Sequence, residues 1–166
     1  MKILESERLY LREFDENDID EISKTYSDED VMRYIGKGGA VDIEQSKKMI
    51  SAFMKNYIEI GFGLWAVIEK ESNSLIGHCG FNILKGISET EIAYLYSKSS
   101  WGKGYATEIG IATLNYGFER LDLTRVIALA YPENTASQNV IRKLGMKHEC
   151  EREFFGINFL VYSKET

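Results

Sequence analysis

Hydrophobic and polar positions alternate along this chain in two rhythms, a period of two and a period near three and a half, and the switches between them mark its elements. Leu9 and Leu11 share one face of a strand predicted over residues 7–14, after which Asp15 can cap a helix bearing Ile19, Ile22 and Tyr26. A charged loop, Asp28 to Asp30, comes next. Asp42 followed three residues later by Gln45 is a capping-box signal; Met49, Ile50, Phe53, Tyr57 and Ile60 then mark one helical face that ends at Gly61. Residues 64–68 and 75–84 read as strands joined by a polar turn over 70–74, and residues 91–97 alternate as the third member of an antiparallel meander.

The pattern then changes. Residues 107–121 are predicted helical, with Ile111, Leu114, Phe118 and Leu121 spaced three and four apart, and 126–131 is an apolar strand. Strand, glycine-bearing turn, helix and strand make a βαβ unit, whose crossover is right-handed and whose strands are parallel. A helix over 134–144 stops at Gly145, and residues 147–155 with 158–163 form a hairpin over Gly156. The expected architecture is α/β (α+β): one domain spanning residues 1–166, with a mixed sheet of about seven strands and about four helices.

Charge and composition narrow the functions available. A net charge of −6 argues against a nucleic-acid or anionic-membrane surface, since either partner needs clustered Lys and Arg. The first 20 residues carry charge every few positions, so neither a secretory apolar region nor a membrane span is expected. Cys79 lies in an apolar run, and it and Cys150 are expected as reduced, buried thiols in a cytoplasmic protein. Two histidines and two cysteines offer no metal-ligand spacing, so no metal is expected.

The segment Trp101-Gly102-Lys103-Gly104-Tyr105-Ala106-Thr107 joins a strand to a helix. Two glycines allow close backbone approach, and a helix start presents unpaired N–H groups at a positive dipole end, a combination suited to a pyrophosphate. The same letters also suit a tight turn with no ligand. Asn134-Thr135-Ala136-Ser137 opens the later helix with Asn134 as its N-cap, and Lys143-Leu144-Gly145-Met146 closes it.

Taken together, Glu91-Ile92-Ala93-Tyr94, Trp101 to Glu108, and Asn134-x-x-Ser137 with its Lys143-Leu144-Gly145-Met146 ending resemble the GCN5-related N-acetyltransferases (GNAT). Glu7-Arg8-Leu9-x-Leu11-Arg12 extends the likeness, which is greatest to the RimJ/RimL-like ribosomal-protein branch. The resemblance implies a splayed parallel pair of strands with acetyl-CoA as cosubstrate. Its pantetheine would meet main-chain groups near Leu95 and Tyr96, and its pyrophosphate the amides from Gly102 through Lys103, Gly104, Tyr105 and Ala106 to Thr107. Asn134 would add a side-chain contact. Trp101 stands where many members carry Gln or Arg, and Lys98, Lys103 and Lys143 are candidates either for meeting the adenosine phosphates or for solvated surface lysines. The acceptor implied is an amine, either a protein N-terminus or a small molecule, and the enzyme a monomer or homodimer.

Amine acetylation needs a proton acceptor, an oxyanion donor and a partner for the departing sulfur. Glu91 is the first candidate base and Glu89 the reserve, although either also suits a solvated strand end. A main-chain N–H near Leu95 is the candidate oxyanion donor. Many relatives place a tyrosine where this chain has Ile141, leaving Ser137 as the group for the thiolate, with helix-start bonding as its alternative role. His78, Tyr94, Tyr96, Trp65 and Phe81 are candidates for lining an acceptor cleft or for the core, and Asp28-Glu29-Asp30 either attracts a cationic amine or is a solvated loop. A dinucleotide fingerprint at Gly102-x-Gly104 fails because the third glycine position is Thr107, and no P-loop sequence occurs. A non-catalytic acyl-CoA sensor is the remaining alternative.

Overall fold

Strands β1 (Lys2–Glu5), β2 (Leu9–Arg12), β3 (Leu64–Glu69), β4 (Ser74–Leu84) and β5 (Glu89–Tyr96) pair antiparallel in chain order in a computed structural model that describes all 166 residues. β6 (Arg125–Ala130) then lies parallel to β5, and β7 (Lys147–Phe154) and β8 (Ile157–Glu165) complete an eight-stranded sheet ordered β1-β2-β3-β4-β5-β6-β8-β7. The helices are α1 (Ile19–Tyr26), α2 (Glu29–Met32), α3 (Ile43–Glu59), α4 (Tyr105–Arg120) and α5 (Thr135–Lys143).

The mixed sheet, its meander and its parallel pair match the expectation, while the counts are higher by a strand and a helix. β1 was not anticipated, because four residues bearing a charge at each end show no alternation; pairing with β2 makes it a strand. The expected loop at 28–30 is the start of α2, where Asp28 accepts from the Asp30 N–H at 2.9 Å as an N-cap. The Asp42–Gln45 capping box forms as expected, with reciprocal bonds of 2.8 and 3.2 Å opening α3.

Registered partners share a face of the sheet, which separates two cores. On one face Trp65, Cys79, Phe81, Ile92 and Tyr96 pack beneath α4 and α5. On the other, Ala66, Ile68 and Leu95 pack beneath α1, α2 and α3. Trp65 and Phe81 therefore belong to the core under α4, where Trp65 meets Tyr116 edge-on, and they line no acceptor cleft. Of the four residues expected on the inward face of α4, Leu114 is buried and Phe118 and Leu121 pack against the core, while Ile111 faces solvent and Ile109 and Thr113 are buried in addition.

Candidate active site

Glu91 and Ile127 are the one residue pair of β5 and β6 in register. Beyond them, toward Tyr96 and Ala130, no further pair of the two strands is in register, which leaves a gap between them. Behind this apex Arg125 clasps both oxygens of Glu89 at 3.2 Å and also binds Glu149 at 2.9 and 3.0 Å. That clasp ties the closed end of the pair together and engages the carboxylate of Glu89, the reserve base.

Glu91 lies opposite Asn82 of β4, on the face that carries Ala93 and Leu95. Its carboxyl is densely surrounded by protein yet keeps a partial opening to solvent. Desolvation disfavours the charged form and raises its pKa from the ordinary 4.5 to about 7, against a smaller opposing effect from the Asn82 hydrogen bond.

Main-chain groups alternate sides along a strand. The Ser97 N–H donates to Ile76 in β4 at 2.7 Å, so the main chain of Leu95 also faces β4, while that of Tyr94 and Tyr96 faces the gap. The gap-facing groups are thus displaced by one residue from Leu95. The Tyr96 carbonyl is already engaged, accepting from the Trp101 indole Nε1 at 2.9 Å. The Tyr96 side chain is buried under α4, its hydroxyl without a hydrogen-bond partner.

At the mouth of the gap the chain turns into α4 through Gly102 and Gly104, at φ of 73° and 79°, a left-handed backbone that glycine adopts without strain. Gly104 is the helix N-cap. None of the six successive amides from Gly102 to Thr107 donates to a main-chain acceptor; the first to pair is that of Glu108, to Gly104 at 3.1 Å. Lys103, Tyr105, Ala106 and Thr107 thus all contribute free N–H groups to one row at a positive helix end. Arg8 holds this turn from beneath, bonding Glu108 at 2.7 Å with its guanidinium 4.5 Å from the Tyr105 ring centre.

Across the gap Asn134 caps α5, its Oδ1 accepting from the Ser137 N–H at 3.3 Å. The Ser137 hydroxyl meets the hydroxyl of Tyr94 at 3.0 Å. That contact was missed from sequence because the two residues lie 43 positions apart; strand alternation puts Tyr94 on the helix-covered face but does not name its partner. Ile141 is a core residue.

On the Glu91 face, α2 and the loop after it reach across the wide end of the gap. Asp30 pairs with Lys98 just past β5, and Gly36 accepts from the Tyr131 hydroxyl just past β6 at 2.5 Å. Asp30 also binds Arg33, so part of the acidic charge of this segment is matched. Lys103 lies 3.8 Å from Glu69, and Lys143 is exposed. His78 lies buried under α1, sharing a 2.7 Å hydrogen bond with Tyr26, and lines no cleft; burial lowers its pKa to about 3. Cys79 is buried and Cys150 half-buried, both as free thiols. No group of three His, Cys, Asp or Glu side chains is placed to hold a metal ion.

A mixed sheet that parts at its parallel pair, with a row of free amides at the mouth of the opening, forms a slot whose entrance suits an anion. Residues 8–147 match the family described as acetyltransferase (GNAT) domain, and the chain belongs to that family of N-acetyltransferases. It is 33% identical over 150 residues to the uncharacterized N-acetyltransferase p20 of Bacillus licheniformis, covering 90% of this chain and 84% of that protein. The crystal structure of a GNAT-family acetyltransferase from Bacillus anthracis superposes with a TM-score of 0.83 at 32% identity, covering 99% and 98% of the two chains. The fold is shared with RimL, a ribosomal L7/L12 alpha-N-protein acetyltransferase solved with coenzyme A, at a TM-score of 0.84 and 18% identity, covering 99% of this chain and 98% of that one.

Proposed function

We propose that this protein transfers the acetyl group of acetyl-CoA to a primary amine by direct attack on the thioester, the amine being the N-terminus of a protein. One observation carries the reading: six unpartnered amides stand at the mouth of a gap between parallel strands that meet only at Glu91 and Ile127. A diphosphate suits that row, because the N–H groups and the helix dipole both favour an anion. From the apex to the end of β5 is five residues, roughly 17 Å at the rise of a strand. A slender pantetheine arm lies along that length, with its acetyl end toward Glu91.

Each chemical requirement then falls to a group on the gap. The N–H groups of Tyr94 and Tyr96 face the arm, and that of Tyr94, the nearer of the two to the acetyl end, polarises the acetyl oxygen. Glu91 takes the amine proton; its raised pKa keeps it ionised just above neutrality and basic enough to accept a proton there. Ser137 faces the departing sulfur. The acceptor enters on the Glu91 face, beside the loop that joins Asp30 to Gly36. Two free thiols suit a reducing cytoplasm. The likeness in fold to RimL supports a protein N-terminus as acceptor, with a polyamine, amino acid or antibiotic as the alternative.

The test is equilibrium binding of acetyl-CoA followed by free-thiol release across N-terminal peptides, polyamines and aminoglycosides. Release dependent on peptides is the expected result. Release with small amines alone moves the acceptor class, binding without release with any amine leaves an acyl-CoA sensor, and absence of binding removes the proposal.

A further inference from the structure

The Tyr94 hydroxyl joins β5 to the first turn of α5, 3.0 Å from the Ser137 hydroxyl and 3.4 Å from the Ser137 carbonyl. Tyr94 lies three residues beyond Glu91, where β5 has already parted from β6, so this pair spans the gap on the helix-covered face of the sheet. Ile141, on the same helix, is only 1% exposed and offers no hydroxyl to the gap, so the hydroxyl that meets Ser137 arrives from the strand.

We propose that Tyr94 is a positioning residue for acetyl transfer: it donates to Ser137 Oγ and so leaves the serine's single proton free to meet the departing sulfur. The inference rests on the acetyl-transfer reading above. A serine in the first turn of a helix commonly turns its proton to a nearby main-chain carbonyl, where it is of no use to a ligand. With the tyrosine as donor to the oxygen, the serine does not spend its own proton on Tyr94. Burial holds the Tyr94 phenol protonated, its pKa pushed up to about 12, so it remains a donor across the neutral range. Two hydroxyls in series also polarise one another, so the serine proton binds an anion more strongly than a lone hydroxyl does.

The transfer balances with both hydroxyls unchanged. The amine nitrogen bonds to the acetyl carbon, and the carbon–sulfur bond breaks with its electron pair on sulfur. Glu91 takes one proton from nitrogen and returns it to water. The thiolate, held by hydrogen bonds from the pair, takes one proton from water on release.

The test uses coenzyme A itself bound to the full chain, its thiolate followed by ultraviolet absorbance against pH. In the unmodified protein the bound thiol ionises at lower pH than free coenzyme A. Tyr94→Phe keeps the ring and raises that midpoint by about one pH unit, a tenfold loss of thiolate. Turnover falls about tenfold with an unchanged KM for acetyl-CoA, as for an interaction made only as the sulfur departs. Ser137→Ala has at least as large an effect, and the double variant matches Ser137→Ala, because the two hydroxyls act as a unit. A Tyr94→Phe protein that binds coenzyme A and titrates like the parent overturns the proposal, as does a double variant whose shift is the sum of the singles. Failure of the unmodified protein to bind coenzyme A removes the acetyl-transfer reading instead.

Discussion

The indole Nε1 of Trp101 donates to the main-chain carbonyl of Tyr96 at 2.9 Å, fastening the head of the amide row to the last residue of β5. Here the donor is used internally, and it sets where the row stands relative to the gap, while the residue stays 48% exposed. Trp101→Phe removes the bond, worth about 1 kcal/mol. Affinity for coenzyme A is expected to fall about fivefold by calorimetry, with turnover at saturation little changed.

Glu91 predicts opposite effects on activity and stability. With Glu91 as the proposed base, acting in its ionised form, the rate is expected to climb with pH through about 7 and then level. Glu91→Gln is expected to lower turnover by about a hundredfold or more and to abolish that limb of the pH–rate profile. The folded pKa lies above the unfolded one, so the native state binds more protons between pH 4.5 and 7, and the parent loses stability as pH rises across that window. At pH 8 the glutamine variant is expected to be more stable in urea unfolding, by about 1–3 kcal/mol.

Glu89, two residues away, behaves differently because its carboxylate is held by Arg125. Glu89→Gln is expected to lower stability by about 1 kcal/mol while leaving the midpoint of the pH–rate profile in place. A displaced midpoint would return Glu89 to the role of base.

His78 gives a pH signature located in the fold. Its folded pKa lies far below the unfolded value of 6.5, so its contribution to stability is complete above that pH and is lost as the pH falls toward 3. His78→Phe leaves the buried Tyr26 hydroxyl without this partner and is expected to cost about 1–3 kcal/mol at pH 7.5. The deficit relative to the parent narrows as pH is lowered to 4, measured by urea unfolding at each pH.

Much of this architecture was legible because local signals agreed. The Asp42–Gln45 box marks the start of α3, and period-two runs mark β3, β4 and β5. The glycines at 102 and 104 sit at the turn into α4 where their sequence position put them, in a left-handed backbone. The illegible elements are those with too few residues to show a period. β1 and α2 are four residues each, and their conformations depend on partners brought from elsewhere in the chain.

The site divides along the same line. Which residues could serve an acyl-carrier site was decided locally: glycines ahead of a helix, an asparagine able to cap one, a glutamate on an alternating strand. What those residues face was decided by the tertiary structure: Trp101 turned onto Tyr96, Glu89 held by Arg125, Glu91 crowded at the apex, Ser137 joined to Tyr94. Periodicity and capping depend on neighbours a few positions apart, so composition and spacing encode them. Hydrogen-bond partnership and desolvation depend on groups tens of residues distant, and they exist only once the sheet has assembled and its parallel strands have parted.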